Sequence, residues 1–180
     1  TRLESVVFQA KLGTQADKIR RVKALAEAIA EKIGADKAVV SRAARLNKSD
    51  LVSDMVQEFP ELQGTMARYY AENQGEPKLV ADSLEQVYWP RFAGDKLPES
   101  KEAQALGIAE RLDTIVGIFS IGEIPTGSRD PYGLRRNALA ILRIMIEGEL
   151  PLDLLELINI SAASMPASIE AEKSVETIFT

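Results

Sequence analysis

The chain has 180 residues, 46% of them hydrophobic and 27% charged, a composition typical of a folded globular protein. It contains no cysteine and no histidine, which excludes disulfides, thiolate or imidazole metal sites, and Ser-His-Asp catalytic triads. The formal net charge of −5 argues against indiscriminate binding to nucleic acid, although a local basic stripe can still bind a specific partner.

Near the start of the chain, apolar residues at helical spacing predict a helix over 15–33 with Gly34 as its cap. The predicted inner face consists of Ile19, Val22, Leu25, Ala26, Ile29 and Ile33. The first half of this helix is basic, with Lys18, Arg20, Arg21 and Lys23. Positive charge at a helix N-terminus opposes the helix dipole, so these side chains either face an outside partner or are solvated surface residues.

Four further helices are predicted over 35–46, 50–59, 61–73 and 78–92. In the helix over 50–59, the predicted inner face is Leu51, Val52, Met55, Val56 and Phe59. Its opposite side has carboxylates at four-residue intervals, which suit either a hard cation or contact with water: Asp50, Asp54 and Glu58. Aromatic side chains in the next two helices either stack on bases or pack in the core: Tyr69, Tyr70, Tyr88 and Trp89.

Two apolar helical runs, one over 106–119 and one over 134–146, organise the chain. The connector between them is rich in turn residues. The second run follows Asp130-Pro131, which is an N-terminal capping signal. Because this second helix is apolar on most sides, we expect it to be largely buried.

A basic stripe runs along the second of these helices, in which Arg135, Arg136 and Arg143 share about one third of the circumference. Arginines on a buried helix need partners. The stripe therefore either contacts an anion from outside the chain or pairs internally with Asp113, Glu110 or Glu123.

Two more helices are predicted, over 150–160 and 169–179, and no segment alternates convincingly as a strand. We therefore expect an all-α fold of eight or nine helices. Residues 1–14 are expected to be the end of a preceding element and a linker, 15–165 a single helical domain, and 166–180 the start of a further element that continues in a longer protein. No apolar run approaches the roughly 18 residues needed to span a bilayer, so we expect a cytoplasmic protein without membrane contact.

Motifs of catalysis are missing from the sequence. It has no Walker phosphate loop, no dinucleotide-binding glycine pattern and no nucleophile elbow. The residues alone thus predict no catalytic group, and they establish only a helical domain with a basic stripe.

Five segments in order nevertheless resemble a known family: VFQAKLGT (7–14), EFPELQG (58–64), PRFAGDKLP (90–98), DTIVGIF (113–119) and DPYGLRR (130–136). With them the chain resembles the central HD-like region of the beta subunit of the bacterial heterotetrameric glycyl-tRNA synthetase. HD-domain hydrolases hold a divalent metal with a His, a His-Asp pair and a later Asp. In this chain Asn47 and Lys48 fall where that pair is expected, and Glu110 falls at the later Asp. An ammonium repels a metal ion, so the resemblance implies a degenerate site without metal.

The resemblance further implies a role in attaching glycine to its tRNA. The catalytic alpha subunit would use ATP and Mg²⁺, whereas this region would hold no cofactor and would bind or position tRNA. Guanidinium groups suit RNA phosphates, and the predicted RNA-binding residues are Arg135, Arg136, Arg143, Arg129, Arg20 and Arg21. Two alternatives stay open: a structural spacer or subunit-docking domain, and a surviving metal-dependent phosphohydrolase using Asp50, Asp54, Glu110 and Asp113.

Overall fold

The computed structural model describes residues 2–179, and within that range the fold is all-α apart from one small β-hairpin. The nine helices are α1 (Gln15–Ile33), α2 (Lys37–Leu46), α3 (Asp54–Glu58), α4 (Thr65–Asn73), α5 (Lys78–Gln86), α6 (Lys101–Ser120), α7 (Leu134–Glu147), α8 (Leu154–Ala163) and α9 (Val175–Phe179). Strands β1 (Val7–Gln9) and β2 (Gly13–Thr14) pair antiparallel just before α1. The predicted all-α class and helix number are confirmed. Thr1 and Thr180, the end residues of the two predicted flanking segments, lie outside the described residues.

Helix α6 is the centre of the molecule. It packs against α1, α2, α5, α7 and α8, and thirteen of its twenty residues are buried. Gly117 marks its closest approach to a neighbour, because a Cβ at this position would lie 2.9 Å from Cδ1 of Leu12 in the hairpin loop. The buried charged side chains of α6, such as those of Arg111 and Asp113, therefore need partners inside the protein.

Helix α7 differs from the prediction that it is largely buried. Only the inner face of α7 is buried, and its buried residues are Leu134, Ala140, Ile141 and Ile144. On the outer face, Leu139 is 63% and Ile146 71% exposed. The prediction failed because α7 lies on the flank of α6, so that apolar residues on its outer side meet no neighbour. The helix also begins at Leu134 and not at Pro131. The Asp130 carboxylate still accepts hydrogen bonds from the backbone N–H groups of Leu134 (2.8 Å) and Arg135 (3.0 Å).

The predicted helix over 50–59 is in fact two short elements, a 3₁₀ helix (Ser49–Val52) and α3. Ser53 separates them because its backbone is extended and its hydroxyl caps α3. Met55 and Phe59 are exposed, not buried as predicted, and Asp50 is 1% exposed. The three carboxylates therefore form neither a water-facing row nor a cation site.

The remaining helices agree with the predicted order but are shorter in places. A 3₁₀ helix (Pro60–Leu62) precedes α4, and α5 ends at Gln86, before Pro90. Proline disfavours helical backbone in the residue before it, which accounts for the early end. Another 3₁₀ helix (Ala171–Ser174) leads into α9. Within residues 2–179, no helix combines the length and apolar character needed to cross a membrane.

Candidate functional site

The structure brings Asn47, Lys48 and Glu110 together. Asn47 ends α2, and Lys48 follows it with a left-handed backbone (φ 65°) that turns the chain back over α6. The Asn47 side-chain N–H donates to Oε2 of Glu110 over 3.0 Å. Nζ of Lys48 lies 3.6 Å from Oε1 of the same carboxylate. Residues 63 positions apart in sequence thus share one buried site.

A second ion pair continues this cluster from α6 to α1. Nζ of Lys18 lies 3.3 Å from Oε1 of Glu110 and 3.4 Å from Oδ2 of Asp113. Arg21 donates to both oxygens of Asp113, over 2.8 Å from Nε and 3.1 Å from the terminal nitrogen. We call these residues (Lys18, Arg21, Asn47, Lys48, Glu110 and Asp113) the ion cluster.

Lys18 was missed as a site residue in the sequence, although a signal for it exists. Glu110 and Asp113 are three residues apart on α6, so they lie on one face of a helix that is otherwise apolar. Two buried carboxylates require cations nearby. The basic first half of α1 provides them, which also explains why positive charge is tolerated at its N-terminal end.

Glu110 and Lys48 both stay charged at neutral pH. Burial raises the pKa of the Glu110 carboxyl, but the ammonium groups of Lys18 and Lys48 outweigh burial and lower that pKa to about 2. Burial likewise lowers the pKa of Lys48, whereas the charge of Glu110 raises it, and the net shift is upward. Each partner therefore keeps the other ionised.

These residues do not fit a divalent metal. The Glu110 carboxylate is surrounded by two ammonium groups and an amide N–H, so positive charge already occupies the space that a metal ion needs. Among the carboxylates proposed for a phosphohydrolase, Asp50 accepts from the N–H of Gly64 over 2.8 Å and Asp54 is exposed. In the described part of the chain, no group of three or more Asp or Glu side chains is arranged to hold a metal.

Beside the ion cluster opens a cleft of about 330 Å³. Four cationic side chains line it: Lys48, Arg91, Arg111 and Arg136. One carboxylate, Glu110, lines it as well, together with the aromatic rings of Tyr88 and Tyr132. Since the four cations come from different parts of the chain, sequence spacing gives no sign of this arrangement.

Arg111 holds the wall of this cleft in place. It is 7% exposed, and its guanidinium donates to four backbone carbonyls, of Val87 (2.9 Å), Gly107 (3.0 Å), Trp89 (2.9 Å) and Pro90 (3.3 Å). Burial lowers its pKa to about 10, so it stays protonated at neutral pH. Its charge is thus fixed beside the cleft, where four carbonyl dipoles and the nearby charge of Glu110 stabilise it.

The six arginines predicted to bind RNA differ in how they are paired. Arg21 is buried in the ion cluster at 8% exposure, so its place on an RNA-binding surface is a prediction that the structure contradicts. Arg20 pairs with Asp17, and Arg143 pairs with Glu147 over 2.8 Å. The other three are exposed and have no carboxylate within 4 Å among residues 2–179: Arg129, Arg135 and Arg136.

The predicted internal partners of the α7 stripe are wrong. Glu110 and Asp113 belong to the ion cluster, and Glu123 makes no ion pair with the stripe in the described residues. Arg135 instead donates to the carbonyl of Gly127 over 3.0 Å. Since α7 is half exposed, its arginines do not need carboxylate partners on folding.

The aromatic residues are divided between surface and interior. Tyr69 is 52% exposed beneath the guanidinium of Arg68. Trp89 is 8% exposed, with Nζ of Lys96 3.5 Å from its ring centroid. Tyr88 lies in the cleft, where Nζ of Lys48 is 4.0 Å from its ring centroid. Of the two alternatives for these aromatic residues, packing in the interior therefore applies to Trp89, whereas Tyr69 is open to contact from outside.

Comparison with known proteins gives a consistent result over the whole chain. The sequence profile of the family described as "Glycyl-tRNA synthetase beta subunit" matches residues 1–180. The glycine–tRNA ligase beta subunit of Aromatoleum aromaticum is 55% identical over 89% of the chain and 23% of its own length. That of Neisseria gonorrhoeae is 53% identical over 96% of the chain and 25% of its own length. That of Chromohalobacter salexigens is 51% identical over 98% and 26%. The chain spans about a quarter of these curated relatives.

Proposed function

Because this chain belongs to the glycyl-tRNA synthetase beta subunit family, we propose that it is a non-catalytic helical domain that binds or positions glycine-specific tRNA. A separate alpha subunit would carry the chemistry, with its ATP and Mg²⁺, in the cytoplasm. The contact of Asn47 and Lys48 with Glu110 supports the further proposal that the domain is an HD-like scaffold with a degenerate metal site.

One observation carries the RNA-binding proposal. Arg129, Arg135 and Arg136 lie in the connector and the first turn of α7, and all three are exposed without a carboxylate partner within the described residues. Several other exposed cations pair within the chain, such as Arg42 with Glu76 and Lys78 with Asp82. The three arginines, in contrast, lie together at the N-terminal end of α7, where Asp130 is the acidic residue close to Arg135 and Arg136.

This arrangement suits RNA better than it suits catalysis. RNA helices are contacted mainly through phosphates and 2′-hydroxyls, and a guanidinium donates to two phosphate oxygens at once. In addition, no ion pair within 4 Å has to be broken before one of these arginines binds a phosphate. The overall charge of −5 then limits binding to this one region.

The test measures binding of glycine-specific tRNA to the complex of alpha and beta subunits at two salt concentrations. We expect Arg135→Gln and Arg136→Gln each to weaken binding and to reduce the slope of log K against log salt by about 1. Arg45→Gln is the matched control, since Arg45 is also exposed and unpaired but lies on α2. Unchanged affinity and slope in both α7 variants would refute the proposal.

A docking role is the second candidate, and a specific feature favours it. Leu139, Leu142 and Ile146 lie on one outward face of α7 at 63%, 39% and 71% exposure, and Phe92 nearby is 63% exposed. Contiguous exposed apolar surface commonly marks a protein contact. About three quarters of the related subunits lies outside this chain, so the rest of the synthetase supplies candidates for covering this face.

The docking role is tested with Leu139→Glu and Ile146→Glu in the beta subunit. Both residues are exposed, so the variants should fold. We expect weaker association with the alpha subunit in size-exclusion chromatography, or a less stable beta subunit in thermal unfolding. Exposed Val7→Glu, at the hairpin, serves as control. Full association and unaltered unfolding in both α7 variants would exclude this role.

A further inference from the structure

The cleft between α6, α7 and the segment 87–91 has a strongly positive lining. Lys48, Arg91, Arg111 and Arg136 line it with a single carboxylate, Glu110, so its formal net charge is +3. This excess occurs in a chain whose overall charge is −5.

The carboxylate in the cleft forms its ion pairs with lysines and not with Arg91 or Arg136. One oxygen of Glu110 faces Lys18 and Lys48 at 3.3 and 3.6 Å, and the other accepts from Asn47 over 3.0 Å. Both oxygens are therefore engaged by the ion cluster. Arg91 and Arg136 therefore line the cleft without an ion pair to this carboxylate.

The three arginines themselves have no acidic partner within 4 Å in the described range. Arg111 donates to backbone carbonyls only. Arg91 donates to the carbonyl of Gln63 over 3.3 Å, and Arg136 makes no side-chain hydrogen bond within residues 2–179. Arg91 and Arg136 are both exposed, so their donors can turn toward a ligand without breaking an ion pair.

Tyrosines give the cleft a second type of contact. Tyr88 forms part of the cleft wall, and Nζ of Lys48 lies 4.0 Å from its ring centroid. Tyr132 is 36% exposed at the cleft and offers a ring face on which a base can stack. Lys48 faces Tyr88, and its backbone has a left-handed conformation that residues other than glycine rarely adopt.

We propose that this cleft binds the phosphate monoester of a nucleoside phosphate, with Arg91 and Arg136 donating to the phosphate oxygens. A phosphate monoester carries about two negative charges at neutral pH. It therefore matches the surplus positive charge of the cleft better than a phosphodiester, which carries one negative charge. The volume of about 330 Å³ is at the lower end for small-molecule sites. The group can come from a free mononucleotide or from the 5′ end of an RNA. The second source deepens the RNA-binding proposal and rests on it.

The experiment has two arms, both with the complex of alpha and beta subunits. In the first, binding of AMP and GMP without ATP is measured by saturation-transfer NMR and calorimetry on wild type and on variants. The alpha subunit would bind ATP and hence adenine nucleotides. The readout is therefore the difference in nucleotide binding between wild type and each variant of the beta subunit. We expect Arg91→Gln and Arg136→Gln each to weaken it by about tenfold or more, and Arg45→Gln to leave it unchanged.

In the second arm, the affinity for glycine-specific tRNA is compared with and without its 5′-phosphate. A loss of affinity on dephosphorylation that disappears in Arg136→Gln identifies the RNA end as the source. Mononucleotide binding that depends on Arg91 and Arg136, with no effect of dephosphorylation, identifies the free nucleotide. Absence of both effects overturns the inference. Weaker binding of tRNA by Arg135→Gln would then still support the RNA-binding proposal, so the two failures are distinguishable.

Discussion

Replacing Glu110 with glutamine should strongly destabilise the protein, because this carboxylate lies between two cations. The side chains of Lys18, Lys48 and Glu110 are only 4%, 14% and 13% exposed. Without the carboxylate, Lys48 has no acidic side chain within 4 Å in the described residues, and Lys18 retains only Asp113, which it shares with Arg21. Removing one partner of a buried pair costs about 3–5 kcal/mol.

The pKa of Glu110 gives a second route to this magnitude. The fall from 4.5 to about 2 corresponds to about 3 kcal/mol of stabilisation by the charged form. Since the folded-state pKa lies below the unfolded value, this stabilisation is complete above pH 4.5 and is lost as the pH falls toward 2. Glu110→Gln should therefore be about 3 kcal/mol less stable than wild type at pH 7, and the difference should narrow only below pH 4.5.

Urea unfolding of the chain at pH 7, 5, 4 and 3 measures this difference, with Trp89 as the only tryptophan and thus the fluorescence probe. Glu156→Gln is the control. The Glu156 side chain, which pairs with Lys32, is 49% exposed, so this ion pair should contribute less than about 1 kcal/mol to the free energy of unfolding. Adding Lys48→Met to Glu110→Gln should recover part of the stability, since the uncompensated ammonium is then removed. A loss below about 1 kcal/mol at pH 7 would refute the reasoning, since a loss that small is typical of an exposed pair.

Two other predictions concern packing. Ile141 is 2% and Ile146 71% exposed on the same helix, so Ile141→Ala should cost about 2–5 kcal/mol and Ile146→Ala well below 1; equal losses in thermal or urea unfolding would contradict the half-exposed position of α7. Gly64→Ala should cost at least about 2 kcal/mol, because φ is +82° and the new Cβ would lie 2.5 Å from the Tyr88 ring. Gly75→Ala, with φ +78° and no atom within 4 Å, isolates the backbone contribution of about 1 kcal/mol.

Local sequence signals predicted the elements well wherever the chain determines its own conformation. The bounds of α1 and the left-handed cap at Gly34 are as predicted, because apolar periodicity and a glycine cap act within a few residues. The degree of burial of α7 was predicted wrongly, because burial depends on contacts with other helices and not on the local sequence. Apolar residues around a helix show which faces can be buried, and only the neighbouring helices decide which of them are.

The candidate site shows the same division. Glu110 and Asp113 lie three residues apart on a mostly apolar helix. This spacing indicates two buried carboxylates that need cations nearby, and the sequence contains such cations. That Lys18 and Arg21 meet them depends on the packing of α1 against α6, across more than 90 residues of sequence. The cleft is less predictable still, since Arg91 follows α5 and Arg136 lies on α7, and neither residue has a pattern that points to the other.

The ion cluster and the cationic lining of the cleft are connected, because Glu110 belongs to both. Within the ion cluster, Glu110 and Asp113 balance buried cations from α1 and α2, and this uses up the acidic groups nearest the cleft. The arginines on the cleft side consequently have no carboxylate within 4 Å in the described part of the chain. A divalent cation is repelled by such a surface, whereas a phosphate is attracted to it. The side chains of Asn47 and Lys48, which surround Glu110 and leave no room for a metal, thus lie next to a cleft lined by cations.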